Sequence, residues 1–219
     1  MNLASIFGGL SQGLAVTLGL TLGGAVVASL LALAAGFARL SPYRAVRAAA
    51  SVYVEVFRGT SALVQLYWFY YVLPLLGLTL SPMLTGILVL GMNIGAYGAE
   101  VVRGAITSID RGQFEAATAL NLTSWQRMRY VIFPQALVRI LPPAGNLLIE
   151  LLKGTALVSL ITLSDLTFRG MLMRAQTMQT LEVFGVLLVL YFLIGQAISL
   201  GIRLLERHIT RGWHIGKPV

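Results

Sequence analysis

Residues 114–136 read FEAATALNLTSWQRMRYVIFPQA, a polar, arginine-containing stretch inside a chain that is otherwise mostly apolar. Its chemistry is that of two short helices joined by a turn. Ala116, Ala117 and Ala119 are strong helix formers with almost no side-chain bulk. The pattern therefore predicts a helix over Gln113–Leu122, with Gly112 breaking the element before it. Asn121 suits the end of that helix, because after glycine asparagine best tolerates the left-handed backbone found there. Thr123 or Ser124 then caps a second helix, WQRMRYVIF, that stops before Pro134. The resulting elbow, about residues 112–134, admits two physical readings. Its small-residue surface can seat in a groove of another protein, or it can rest as an amphipathic helix on lipid headgroups.

The surroundings of the elbow are membrane-like. The chain has 219 residues, 57% of them hydrophobic and only 11% charged, with a mean hydropathy of +0.82. Soluble domains carry roughly a quarter charged residues, so an all-α integral membrane protein is indicated. Five stretches are long and apolar enough to cross, at about 14–37, 62–78, 83–102, 144–163 and 183–202. In lipid each is expected to be helical, since unpaired backbone groups there are costly. Thirteen of the 16 Lys and Arg residues lie in linkers 38–60 and 103–143 and in the C-terminal tail. Five spans place those three segments on one side. That puts the C-terminus in the cytoplasm and the N-terminus outside. The N-terminus lacks a basic region before its first apolar stretch, so it does not read as a cleaved signal. Domain organisation follows: a transmembrane domain over 14–205 and a short basic cytoplasmic tail over 206–219. The net charge of +8 is thereby explained without nucleic acid.

Several side chains inside the spans are candidates for a polar pathway: Gln65, Asn93, Glu100, Asn146, Glu150, Lys153 and Thr155. Intramembrane ionisable groups are expensive and usually face protein or water. Glu150 and Lys153 stand three residues apart, on one helical face, and form either an internal ion pair or a point of contact for a zwitterion. Glu100 and Arg103 have the same spacing near a span end, as a salt bridge or a gate. The aromatic run YWFYY at 67–71 reads as an interface belt in preference to a cation cage. GLTLG at 19–23 lets helices approach closely. Cysteine is absent, and neither histidine stands in metal-ligand spacing with the other. No metal site and no catalytic constellation is evident, so the chain is expected to catalyse no covalent chemistry itself.

With these residues on view, EAATALNL and IFP (132–134) resemble the EAA loop of the membrane subunits of ABC importers: Glu-Ala-Ala, a Gly several residues on, then an apolar residue shortly before a Pro. Glu115, Ala116, Ala117 and Pro134 match, and Asn121 stands where Gly is usual. FRGTSALVQL (57–66) resembles a segment of the polar amino-acid permease group, with Ser61 where Pro is usual. AYGAEVVRGAITSIDRGQFEAA (96–117) and LPPAGNLLIELLKGTALVSLI (141–161) fit the same group. The resemblance implies a type I importer permease in a bacterial inner membrane. Gly112, Gln113, Glu115, Ala116, Ala117, Leu120, Asn121 and Pro134 would form the elbow that docks on a separate ATPase. A second permease subunit and an external solute-binding protein would complete the assembly. The implied solute is a polar amino acid or similar zwitterion, ectoine-type compatible solutes included. The chain lacks a G-x-x-x-x-G-K-[ST] phosphate loop, so no cofactor of its own is expected and ATP would be bound by the partner. The rival class is an ion-driven secondary transporter or a channel, which five spans disfavour because inverted repeats are common there.

Overall fold

A computed structural model describes residues 3–210 and is built of helices, with no strand among the described residues. Among the described residues nine α-helices follow in order: α1 (Leu3–Ala38), α2 (Arg44–Gly59), α3 (Ala62–Tyr67), α4 (Pro82–Thr107), α5 (Arg111–Ala119), α6 (Ser124–Arg127), α7 (Phe133–Gly154), α8 (Leu166–Thr177) and α9 (Thr180–Thr210). The expected tail is described only as far as Thr210; Arg211, His214 and Lys217 lie outside the described residues.

Among the described residues, four helical stretches are long and apolar enough to cross a membrane: Gly8–Ala38, Pro82–Thr107, Ser124–Ile161 and Thr180–Ile209. They contain the first, third and fifth expected spans whole and the fourth as far as Ile161, where left-handed Thr162 (φ 64°) ends the helix. The expectation of five such helices is corrected at the second. The apolar helix there, Ala62–Leu76, is shorter, about 22 Å at 1.5 Å per residue against a hydrocarbon core of about 30 Å. The reason is a break. Thr60 (φ −119°, ψ 152°) and Ser61 (φ −67°, ψ 132°) are extended and separate α2 from α3. Linker 38–60 is therefore not a loop but largely the amphipathic helix α2.

α2 and Ala62–Leu76 share α4 between them. Tyr53 donates its hydroxyl hydrogen to the Met92 carbonyl at 2.7 Å, and Val54 packs against Ala35 and Ala99. On the other side of the break, Leu66 packs with Val89 and Leu90. After Tyr67 the helix widens to a π turn over Trp68–Val72 and tightens to a 3₁₀ turn over Leu73–Leu76. Tyr67, Trp68 and Tyr71 of the aromatic run line an open recess with Val64, Val72 and Leu160.

The centre of the bundle is the α1–α4 seam, and glycine makes it close. An ideal Cβ at Gly91 would lie 2.7 Å from Cβ of Val27 and 3.2 Å from the Gly24 carbonyl; at Gly98 it would meet Cβ of Ala32 at 2.7 Å. The pair in GLTLG faces the same seam, Gly19 toward Met83 and Gly23 toward Ile87. Without a hydrophobic force between helices in lipid, this close backbone approach is what holds them together. Beyond α7, a 3₁₀ stretch (Thr155–Ile161) leads to Asp165, whose carboxylate accepts from the Thr167 and Phe168 amides and caps α8. Burial pushes that carboxyl up, and the amide hydrogen bonds oppose the shift.

Candidate functional site

The elbow leaves the bundle at the end of α4 and rejoins it at α7. Asp110 starts α5 by accepting from the Gly112 amide at 2.7 Å, as a short acidic side chain does for an otherwise unpaired helix N–H. Gly112 therefore lies inside the helix, and the expectation that it breaks the preceding element is corrected: the break falls at Ser108–Asp110. Asn121 takes the left-handed conformation (φ 53°) as its sequence position suggests. Its amide reaches the Thr118 carbonyl at 2.9 Å and the Leu122 amide the Ala117 carbonyl at 3.1 Å. These two bonds satisfy helix-end carbonyls in the arrangement that terminates many helices. Thr123 and Gln126 form a reciprocal cap that starts α6.

The second arm does not stop before Pro134, as the sequence suggests; helix is continuous from Ser124 to Ile161. A π turn over Met128–Ile132 explains the difference. There the Phe133 amide bonds to Met128, five residues back. Pro134 follows in the first turn of α7. Proline lacks an N–H and crowds the carbonyl four residues earlier, and the widened turn relaxes both demands.

The elbow is anchored firmly. Ile109 and Phe114 pack with Ile132 and Ala136. Arg139 donates to the Ser108 hydroxyl at 2.7 Å, Gln135 to the Gln113 amide oxygen at 3.1 Å, and Arg127 to the Thr118 hydroxyl at 3.0 Å. Ala117 is on the buried face of α5, while Gly112, Gln113, Glu115, Ala116, Ala119, Leu120 and Asn121 are exposed. Leu120 is 74% exposed at the tip. The surface presented is thus small-residued with one apolar point, on a rigid mount. Asn121→Gly is expected to leave the elbow intact. Asn121→Val, a β-branched side chain at positive φ, is expected to loosen it by roughly 1–2 kcal/mol. Hydrogen exchange at residues 116–122 reads both outcomes.

The intramembrane candidates divide into three groups. Gln65 and Asn93 come together at the α2–α3 break. Asn93 donates to the Phe57 carbonyl at 2.9 Å and to Gln65 Oε1 at 3.2 Å; Gln65 donates to Phe57 at 3.0 Å and to the Thr60 hydroxyl at 2.7 Å. They satisfy backbone that the break would otherwise leave bare in an apolar interior. Thr155 is wholly buried and donates to the Leu152 carbonyl at 2.7 Å. These three are occupied in holding the backbone.

Glu100 forms the second group. It bridges Arg103 on its own helix and Arg39 at the end of α1. The sequence suggests only the near partner; Arg39 lies 61 residues away. The third group is Asn146, Glu150 and Lys153, exposed along one face of α7. Glu150 and Lys153 do not pair with each other, and neither joins the ion pairs of Glu100. The internal ion pair expected from their spacing is thereby corrected. Two charges thus stand exposed on a helix long and apolar enough to cross a membrane. Sequence reading missed a matching feature on α2. Glu55 and Arg58 are exposed three residues apart, and the available signal was their spacing in a helix with a strongly polar face.

A family model described as "Binding-protein-dependent transport system inner membrane component" matches residues 28–211. The chain is 42% identical over 217 residues to the "Probable amino-acid ABC transporter permease protein y4tF" of Sinorhizobium fredii, covering 96% of this chain and 91% of the relative. It is 37% identical to the "Glutamine transport system permease protein GlnP" of Escherichia coli, covering 91% and 92%. The fold is similar to a chain in the "Crystal structure of an amino acid ABC transporter with histidines", at TM-score 0.86 and 34% identity, covering 95% of this chain and 99% of that one.

Proposed function

The chain belongs to the family of inner-membrane components of binding-protein-dependent transport systems, and from that premise we propose that it is the permease subunit of an ABC importer for a polar amino acid or amino-acid-like zwitterion. The observation that carries this reading is the near full-length match to amino-acid permeases, glutamine and cystine permeases among them. The elbow supplies the mechanical element such a subunit needs.

In this reading α2 and Ala62–Leu76 together make the fifth crossing, in two pieces that meet near mid-depth. Five crossings return the basic segments to one side, so the N-terminus is external and the elbow cytoplasmic. The exposed small-residue face of α5 seats in a cleft of a separate ATPase, which binds and hydrolyses ATP. Movement of that partner reaches the bundle through the anchors at Ser108, Gln113 and Thr118. The transmembrane domain, about 14–205, pairs with a second permease subunit, and an external binding protein delivers the solute. The charged face of α7 then has a use. Each charge would cost about 2.5–3.5 kcal/mol in lipid at a helix centre, and facing an aqueous pathway between two permease subunits removes that cost.

Lys153→Met is expected to lower uptake at least tenfold at unchanged membrane yield. Unchanged uptake would remove Lys153 from the pathway. The reading as a whole is tested in liposomes holding the permease and its ATPase, with the binding protein supplied. Uptake dependent on internal ATP is expected. Uptake driven by an ion gradient without ATP would replace the importer with a secondary transporter.

A further inference from the structure

We propose that Glu55 and Arg58, beside the break between α2 and α3, are the charge pair that receives the solute's ammonium and carboxylate groups; this rests on the amino-acid permease reading above.

Depth is the first support. Asn93 bonds to the Phe57 carbonyl, next to Arg58. Asn93 lies in the 26-residue α4, about 17 Å from its start and about 21 Å from its end at 1.5 Å per residue. Arg58 is therefore carried near the middle of the membrane, and Glu55 one turn away. Charges at that depth persist in membrane proteins where they meet water, protein or a ligand.

Availability is the second. Both residues are exposed, and neither forms an ion pair among the described residues. Opposite charges three apart on a helix are close enough to pair, yet these two do not. The Arg58 guanidinium instead lies over the Tyr97 ring, its carbon 5.2 Å from the centroid. Stacking occupies the face of the group and leaves its in-plane N–H donors free. That planar fork matches a carboxylate with two parallel hydrogen bonds.

Elimination is the third. The amides nearest the break, Gln65 and Asn93, are spent on the Phe57 and Thr60 backbone and on each other. They hold the break open as a rigid feature and leave recognition to the charges. Broken helices near the midplane are where transporters commonly bind polar solutes, and here the break carries one positive and one negative group at a spacing suited to a zwitterion.

The test uses the complete transporter in liposomes, with wild type, Arg58→Gln, Arg58→Lys and Glu55→Gln. Each of the twenty radiolabelled L-amino acids is the probe in turn. The one taken up best is then compared with its α-carboxamide, which lacks the carboxylate charge, and with its deaminated acid. Arg58→Gln is expected to raise KM about ten- to hundredfold, the range of a charge-assisted hydrogen bond, with kcat little changed. The preference for the acid over the carboxamide collapses with it, and Arg58→Lys restores part of it. Glu55→Gln raises KM for the amino acid and not for its deaminated acid. Unchanged KM and unchanged discrimination in assembled Arg58→Gln overturn the proposal. So does loss of assembly in both Arg58 variants, which makes the residue a structural one. In either case the importer reading survives, because wild type still transports. Wild type that takes up none of the amino acids fails the underlying reading instead.

Discussion

Ala116→Glu is expected to reach the membrane at normal yield and to transport almost nothing. Ala116 lies on the exposed face of α5, so a longer side chain meets no neighbour within the chain and folding is spared. In the proposed assembly the effect falls on docking. A glutamate at the centre of a small-residue contact must be desolvated without a partner, and an uncompensated buried charge costs about 3–5 kcal/mol. Each 1.4 kcal/mol is about a factor of ten in affinity, so the ATPase is held more than about a hundredfold less tightly. Uptake in liposomes and co-purification of the ATPase should fall together. Normal uptake with normal co-purification would take the elbow out of the docking role.

The second large effect is on stability. Gly91→Leu is expected to prevent accumulation of folded protein. The first carbon of any side chain at Gly91 already lies 2.7 Å from Val27 and 3.2 Å from the Gly24 carbonyl. Backbone cannot give way as a flexible side-chain tip does. α1 and α4 must part, and that loses the contact around which the other helices are arranged. Overpacking of a core costs typically about 1–3 kcal/mol, and a separation along the whole seam adds to it. Gly185→Leu is the control: α9 leaves open space around Gly185, and its variant should match wild type in yield and thermal stability. Equal stability of the Gly91 variant would contradict close packing of the α1–α4 seam.

What the sequence made legible follows the strength of each local signal. The first, third, fourth and fifth expected spans are predominantly apolar; three of them lie wholly inside long apolar helices, and the fourth does as far as Ile161. The second span was misread because Arg44, Arg47, Glu55 and Arg58 give α2 the charge density of a loop. Their role depends on where α2 lies against α4, and only long-range contacts such as Tyr53 to Met92 reveal that. The elbow's turn was legible because Asn121 and Thr123 act on their own backbone. Its second arm was not: Pro134 signals a helix end, and a π turn overrides it.

The polar candidates show the same division. Glu100–Arg103 is a local pair visible from spacing, whereas Arg39 joins it through the fold. Glu150 and Lys153 have the spacing of a pair and remain apart, because spacing permits an ion pair without requiring one. Gln65 and Asn93 read equally as pore-lining groups and as links between helices; a broken helix needs partners for its carbonyls, and both amides supply them.

The chain contains no cysteine, so Ala116→Cys gives a single reporter for the position of the elbow. A membrane-impermeant maleimide is applied to right-side-out and to inside-out vesicles carrying this variant, with and without the ATPase. Labelling confined to the inside-out vesicles, and blocked when the ATPase is bound, is the expected result. Labelling from the external face, or none from either face in unfolded-state-positive protein, would contradict a cytoplasmic elbow that carries work from the ATPase to the membrane helices.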